Sequence, residues 1–317
     1  MLSRRQGPIL PAAAEADLYM IRPVDAQVPP KARLWVLPIL TFVLILLDQF
    51  AVLGSPKITM IAAMAIVLAG IPHGTLDVEI ASTRFGLAGR SQKLAIIACY
   101  GGCALLMLAA WQLLPELALT GFLVISVVHF SADWRGGVDP FLAMMVGWAL
   151  IALPALSHPQ GVAVIFEMLT GNENGETIAA LLACSAVPAA LGSLVFAFWA
   201  YQHGDATSAL DVISCIIASL LLPPLIAFAV FFCGLHSPRH MLDALRETGG
   251  LSASKTAIII AAVTALSLGA GAILFAGYDD MGLDSAVIRT GFVLLSALTV
   301  PHFILEHIMA AKKSDAA

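Results

Sequence analysis

Charge is scarce in this sequence. Of 317 residues, only 12% are Asp, Glu, Lys or Arg, against 60% that are hydrophobic, and the mean hydropathy is +0.92. An ordinary soluble domain carries about 25% charge. Too little polar surface is available to cover a water-facing globule, so lipid is the solvent for most of the chain. The formal net charge of −5 is scattered, and no basic patch or arginine-rich arm occurs, so no nucleic acid is expected as a partner. Cysteine is also sparse. Cys99, Cys103, Cys184, Cys215 and Cys233 form no CxxC pair, which argues against a zinc knuckle or a redox dithiol. They read as small buried apolar residues. There is no HExxH, which removes the metalloprotease-type zinc helix. The opening MLSRRQGPILPAAAEADLYMIRPVDAQVPPKAR lacks the apolar h-region of a secretory signal, and residues 1–33 read as a mobile cytoplasmic tail.

Long apolar runs are what the chain has in abundance. A crossing needs roughly 20 apolar residues at about 1.5 Å each. Nine runs qualify: 34–53, 57–73, 94–114, 116–134, 140–157, 178–202, 209–235, 256–277 and 286–309. Lipid offers no partners to exposed backbone groups, so each predicts a helix. The expected fold class is all-α: a polytopic transmembrane helical bundle of one domain, 34–309, with 310–317 as a short cytoplasmic tail. Abundant alanine and glycine permit close helix packing, and no internal repeat or second domain is visible.

Lysine and arginine in short loops orient the chain. Arg4, Arg5, Arg22, Lys31 and Arg33 place the N-terminus inside, as do Arg84, Arg90 and Lys93 the second loop. Arg135 follows the fourth segment. Arg239, Arg246, Lys255, Lys312 and Lys313 also belong inside, whereas the loops around Glu173 and Glu176 and YDDMGLD at 278–284 suit the outside. Two inside termini require an even number of crossings, and nine is odd. Either one segment between 140 and 235 does not cross, or a tenth crossing is hidden there, with Pro223-Pro224 as the candidate break. The reading favours eight crossings in the cell inner membrane, with both termini cytoplasmic.

Into these runs the sequence places ionisable groups, which are expensive in a membrane and mark function by default. His73 ends the second segment in GIPHGTLDVE, His129 lies near the end of the fourth in VVHFSADW, and His236 and His240 follow the seventh in GLHSPRH. His302 lies in VPHFILEH, ahead of His307, while His158 and His203 occupy loop-like stretches. A lone histidine at a helix end can simply reach the interface. The charge rule, however, puts His73, His129, His236 and His240 near one membrane face. His236 and His240 are four apart and share a face if a helix begins near Ser237, with Pro238 in its first turn. Imidazole suits iron, zinc, copper or nickel, so ligand type does not choose the metal. Asp77 lies one turn after His73, and Asp133 four residues after His129. Each could accept the second ring N–H of the histidine before it, or else cap a helix or pair with Arg84 or Arg135. Glu79 reads as solvated.

PHGTLD at 72–77, HFSADW at 129–134, HSPRH at 236–240 and PHFILEH at 301–307 resemble the motifs of the Brp/Blh family, the bacteriorhodopsin-related membrane proteins that act as β-carotene 15,15′-dioxygenases. The resemblance runs from about residue 34 to 309. It implies a helical bundle that cleaves the central double bond of β-carotene, or a related carotenoid, with O2 to give two molecules of retinal. It also implies iron(II), Fe(2+), as cofactor, with His73, His129, His236 and His240 as metal ligands and catalytic residues. His302 matches the last motif as a helper or pocket residue. Four neutral imidazoles would leave the ion its full charge, unlike the usual two-histidine, one-carboxylate oxygenase site. The substrate has no polar handle, so shape and depth must set its register. Phe130 and Phe303, each next to a motif histidine, are the favoured substrate-binding residues.

Four other readings are set against this one. A membrane di-iron hydroxylase or desaturase typically needs about eight clustered histidines with boxes such as HxxHH, and this chain has no HH pair. A proton or metal-ion transporter would show broken helices and paired repeats, and only Pro223-Pro224 hints at that. A b-type cytochrome needs paired histidines on facing helices. A rhodopsin needs a lysine in mid-segment, and none is present. Oligomeric state is not legible.

Overall fold

The structure, a computed structural model, describes residues 34–87, 89–134 and 138–315, apart from the side chains of His73 and residues 312–315. The 1–33 tail, Arg135 and the side chains of Lys312 and Lys313, all used to orient the chain, lie outside the described residues. Every regular element among the described residues is helical: α1 Val36–Asp48, α2 Pro56–His73, α3 Asp77–Arg84, α4 Arg90–Leu113, α5 Pro115–Ser131, α6 Pro140–Ser157, α7 Pro159–Thr170, α8 Asn174–Gln202, α9 Ala206–Leu221, α10 Pro224–Phe231, α11 Ser237–Glu247, α12 Ala253–Ala276 and α13 Leu283–Asp315. A short 3₁₀ turn, Ala132–Trp134, extends α5, and a π turn, Phe232–His236, joins α10 to α11. Proline opens α2, α5, α6, α7 and α10, where the missing N–H costs nothing.

Counting α2 with α3, α5 with its 3₁₀ turn, and α10 with α11 as continuous rods, eight helices among the described residues are long and apolar enough to cross a membrane. They include Pro56–Arg84, Pro115–Trp134, Pro224–Glu247 and Leu283–Ala311. The rods are inside-out by the standards of a soluble protein. Leu106 is 72% exposed and Ile273 77%, a surface suited to lipid rather than water. Cys99 and Cys184 lie on this outer surface, contrary to the expectation that the cysteines are buried, and only Cys215 is fully enclosed. A cysteine exposed to hydrocarbon loses no more than a buried one, so apolar neighbours in sequence cannot separate the two cases.

Side-chain pairs define the two ends of the bundle. At one end Arg84 pairs with Glu247, and Lys93 donates to Glu79 at 2.8 Å. Glu79 is thus paired rather than simply solvated. At the other end Asn172 and Asn174 both donate to Glu116, and the Ser157 hydroxyl donates to the Ser219 carbonyl at 2.8 Å. There too, burial lowers the pKa of His158, and the Asp48 carboxylate at the end of α1 opposes the shift. Helix α9 connects the two ends. Its first turns hold Asp211, bonded to Arg239 of α11 at 2.7 Å, and its last turn holds Ser219. With 16 residues it spans about 24 Å. The apolar run at 209–235 is therefore two antiparallel helices broken at Pro223-Pro224, the break named for a hidden tenth crossing, although α9 is shorter than the eight helices counted above. The break has a local cause, because Leu222 is extended before Pro223 and α10 starts on Pro224.

Small residues set the closest helix contacts. A methyl group at Gly147 on α6 would come within 2.4 Å of the Val127 carbonyl oxygen and 3.1 Å of the Ser131 nitrogen on α5. These two positions flank His129. Trp111 of α4 is fully buried and donates through its indole N–H to Ser296 of α13 at 2.6 Å, so that the large side chain also satisfies its polar atom.

Candidate metal centre

Histidines from three separate parts of the chain converge at the end of the bundle that carries Arg84 and Glu247. His129 is presented by the last turn of α5 and is 2% exposed. His236 closes the π turn and is fully buried. His240 follows in the first turn of α11. Pro238 explains the widened turn. It has no N–H to give the carbonyl four residues back, and its ring clashes with that carbonyl, so the preceding helix opens out. The His236 and His240 rings then lie 4.4 Å apart, and each is near His129, at 4.9 and 5.2 Å between centroids. One donor atom from each of the three lies within 4.8 Å of the others.

Helix α13 adds a second set. His302 is buried, with its ring 5.2 Å from that of His129. One turn later Glu306 approaches three imidazoles: His129 Nδ1 at 3.3 Å, His302 Nε2 at 3.4 Å and His240 Nδ1 at 3.7 Å. His129, His302 and Glu306 also each offer a donor within 4.8 Å of the other two. Small cations bind imidazole nitrogen at about 2.0–2.1 Å, so either set can close on one ion with modest ring rotation. All the donors are nitrogen or carboxylate oxygen, which suits a first-row divalent metal such as iron.

Two carboxylates stand behind the rings. His236 Nδ1 donates to Asp133 at 2.7 Å, and His302 Nδ1 donates to Asp77 at 2.7 Å. An ionised carboxylate only accepts, so in each pair the proton sits on Nδ1, and Nε2 becomes the atom able to bind a cation. This is the carboxylate–histidine arrangement that orients metal-binding rings. The expected partners are exchanged. Asp133 follows His129 in sequence but serves His236, because the 3₁₀ turn swings it away from α5. Asp77 follows His73 but serves His302, 225 residues away. Tyr100 also donates to Asp77, at 3.1 Å, and to the Leu298 carbonyl. Gly74 leaves room for this cluster, since a methyl there would lie 3.3 Å from both Asp77 Oδ2 and the Tyr100 hydroxyl.

Of the four expected ligands, His129, His236 and His240 meet. His73 ends α2, and its side chain lies outside the described residues. Phe130 is buried and packs on His236 with ring centroids 4.9 Å apart, joined by Phe231 at 5.0 Å. Phe303 lies 6.3 Å from His129 and packs at a tilt on His307, with ring centroids 4.1 Å apart. His203 stacks on Trp199, away from the cluster. Glu306 escaped the sequence reading. Its signal was legible as a carboxylate four residues after His302 on an unbroken helix, which places both on one face.

On the far side of Tyr100 an apolar cavity of about 460 Å³ opens between the α3 end, α4 and α13, lined by Phe85, Ile96, Cys99, Tyr100, Pro301 and Leu305. The Tyr100–Asp77–His302 chain thus links an apolar cavity to the donor cluster.

The family model for β-carotene 15,15′-dioxygenase (BCD) matches residues 64–310. The chain is also 30% identical over 264 residues to the β-carotene 15,15′-dioxygenase of uncultured marine bacterium 66A03, a match that covers 80% of this chain and 94% of that relative. No solved structure matches.

Proposed function

The chain belongs to the β-carotene 15,15′-dioxygenase family, and on that premise we propose that it cleaves the central double bond of β-carotene with O2 to give two molecules of retinal, using iron(II) held by its clustered histidines. One C=C bond breaks and two C=O bonds form, so the atoms of β-carotene and O2 account for both products. The observation that carries the proposal is the meeting of His129, His236 and His240, with Asp133 fixing one ring, inside an apolar bundle. His73 completes the proposed ligand set. Iron bound there would supply the one-electron chemistry that lets triplet O2 react with a closed-shell polyene.

The protein's own residues have three tasks. Asp133 and Asp77 hold His236 and His302 in the tautomer that turns Nε2 inward. Phe130 and Phe303 flank the rings and give the polyene an apolar wall. The cavity beside Tyr100 receives one end of the hydrocarbon, and its depth sets which double bond reaches the cluster. A substrate dissolved in the bilayer enters sideways between helices and never passes through water. We place the protein in the cell inner membrane with both termini cytoplasmic, because Arg84, Lys93 and Arg246 gather at the cluster's end of the bundle.

The test is chromatography of carotenoids from β-carotene-producing bacteria that express the chain, with and without an iron chelator. Retinal should appear as β-carotene is lost, and chelation should stop both. Apocarotenals of unequal length would rule out central cleavage.

A further inference from the structure

We propose that Glu306 is an anionic ligand of the metal centre, so that the shell is not made of histidine alone. The inference rests on the reading of the cluster as an iron site and changes its charge. Glu306 lies on the same face of α13 as His302, and its two carboxylate oxygens reach imidazoles from three elements: His129 on α5, His240 on α11 and His302 on α13, at 3.3, 3.7 and 3.4 Å. Asp133 and Asp77 contact Nδ1 atoms from behind. The Glu306 side chain is 32% exposed, yet it turns to the cluster rather than outward. A carboxylate oxygen within 4.8 Å of donors on His129 and His302 meets the same proximity condition as the three-histidine set, and both sets share His129. One ion within reach of both would have nitrogen and oxygen donors together. The carboxylate would cancel part of the ion's charge in a low-dielectric bundle, where an uncompensated charge is costly. A set of neutral imidazoles cannot do this.

The alternative is that Glu306 only balances a charged His302, with no bond to the ion. The two roles separate in purified protein, in detergent, by iron per chain and by the ligand-field spectrum after replacement of iron with Co(II). Glu306→Gln keeps shape and hydrogen bonding but removes the anionic donor. The proposal expects it to weaken iron retention by at least about tenfold and to shift the Co(II) bands. Glu306→Asp, shorter by one methylene, should restore part of the retention. Helicity by circular dichroism checks that each variant is folded. If Glu306→Gln fails to fold, Glu306→Asp alone decides, since a ligand pulled back by one methylene must shift the Co(II) bands and a mere counter-ion need not. Unchanged iron content and an unchanged Co(II) spectrum would overturn the proposal and leave the iron site standing. Two ions per wild-type chain would overturn the single shared shell. Wild-type protein that holds no iron at all would refute the underlying reading instead.

Discussion

Replacing Asp133 gives the sharpest test of how the site is held. Its carboxylate accepts from His236 Nδ1 at 2.7 Å, and the side chains are 3% and 0% exposed, so water cannot take over the role. A hydrogen bond to a charged group contributes about 1.5–3 kcal/mol net, against about 1 kcal/mol for a neutral pair. Asp133→Asn keeps an acceptor oxygen and loses the charge, a cost of about 1–2 kcal/mol, or roughly five- to thirtyfold in metal affinity at about 1.4 kcal/mol per tenfold. The amide can also turn its NH2 to the ring, which would move the imidazole proton to Nε2 and block the donor atom. Asp133→Ala removes the acceptor and leaves a buried N–H with no partner, which adds about 1–3 kcal/mol. Affinity should then fall by at least about thirtyfold overall. The assay is iron retained per chain across a chelator series, read beside retinal formed in carotenoid-producing cells. The expected order is wild type, then Asn, then Ala, in both readouts. An Asp133→Ala protein that held iron and made retinal like wild type would refute the claim that this carboxylate orients His236.

Alanine at His129, His236 or His240 should abolish iron binding and retinal formation together while leaving helicity unchanged, and the same is expected at His73. Metal analysis and product chromatography check each variant. Gly147→Ala should lower thermal stability in detergent by about 1–3 kcal/mol and reduce turnover, because the methyl meets the backbone on both sides of His129. Gly121→Ala, with nothing within 4 Å, should be silent. Tyr100→Phe removes the donor to the Asp77 carboxylate and should cost about 1.5 kcal/mol or more, a loss of turnover of about tenfold or more measured in membranes. Ala95 also lines the cavity beside Tyr100, and filling it with Ala95→Trp should weaken use of full-length carotenoid while leaving iron content unchanged. Equal activity would show that the polyene end lies elsewhere.

The helical bundle and the positions of its charges were readable from hydropathy, because lipid demands continuous apolar helices and penalises every ionised group within them. His129, His236, His240 and His302 stood out for that reason. Hydropathy read the 209–235 run as one segment, since its apolar character continues across the turn, and only Pro223-Pro224 offered the break that splits it. Arg239 looked like a loop charge obeying the positive-inside rule. It lies within α11 at that charged end, where it also pairs with Asp211 and lies over the Trp134 ring at 5.5 Å.

Composition alone pointed to a bundle of long apolar helices suited to lipid, and the motifs marked the histidines and carboxylates that the fold gathers at one end. The partners of those residues were a matter for tertiary structure. Asp133 and Asp77 each follow one histidine along the chain and bond to another, and Glu306 joins imidazoles from helices far from it in sequence. Periodicity reports which face of a helix a side chain occupies, but it contains nothing about which other helix lies against that face. That choice is made by close packing at positions such as Gly147 and Gly74, where a single missing methyl lets two backbones, or a backbone and a polar cluster, approach.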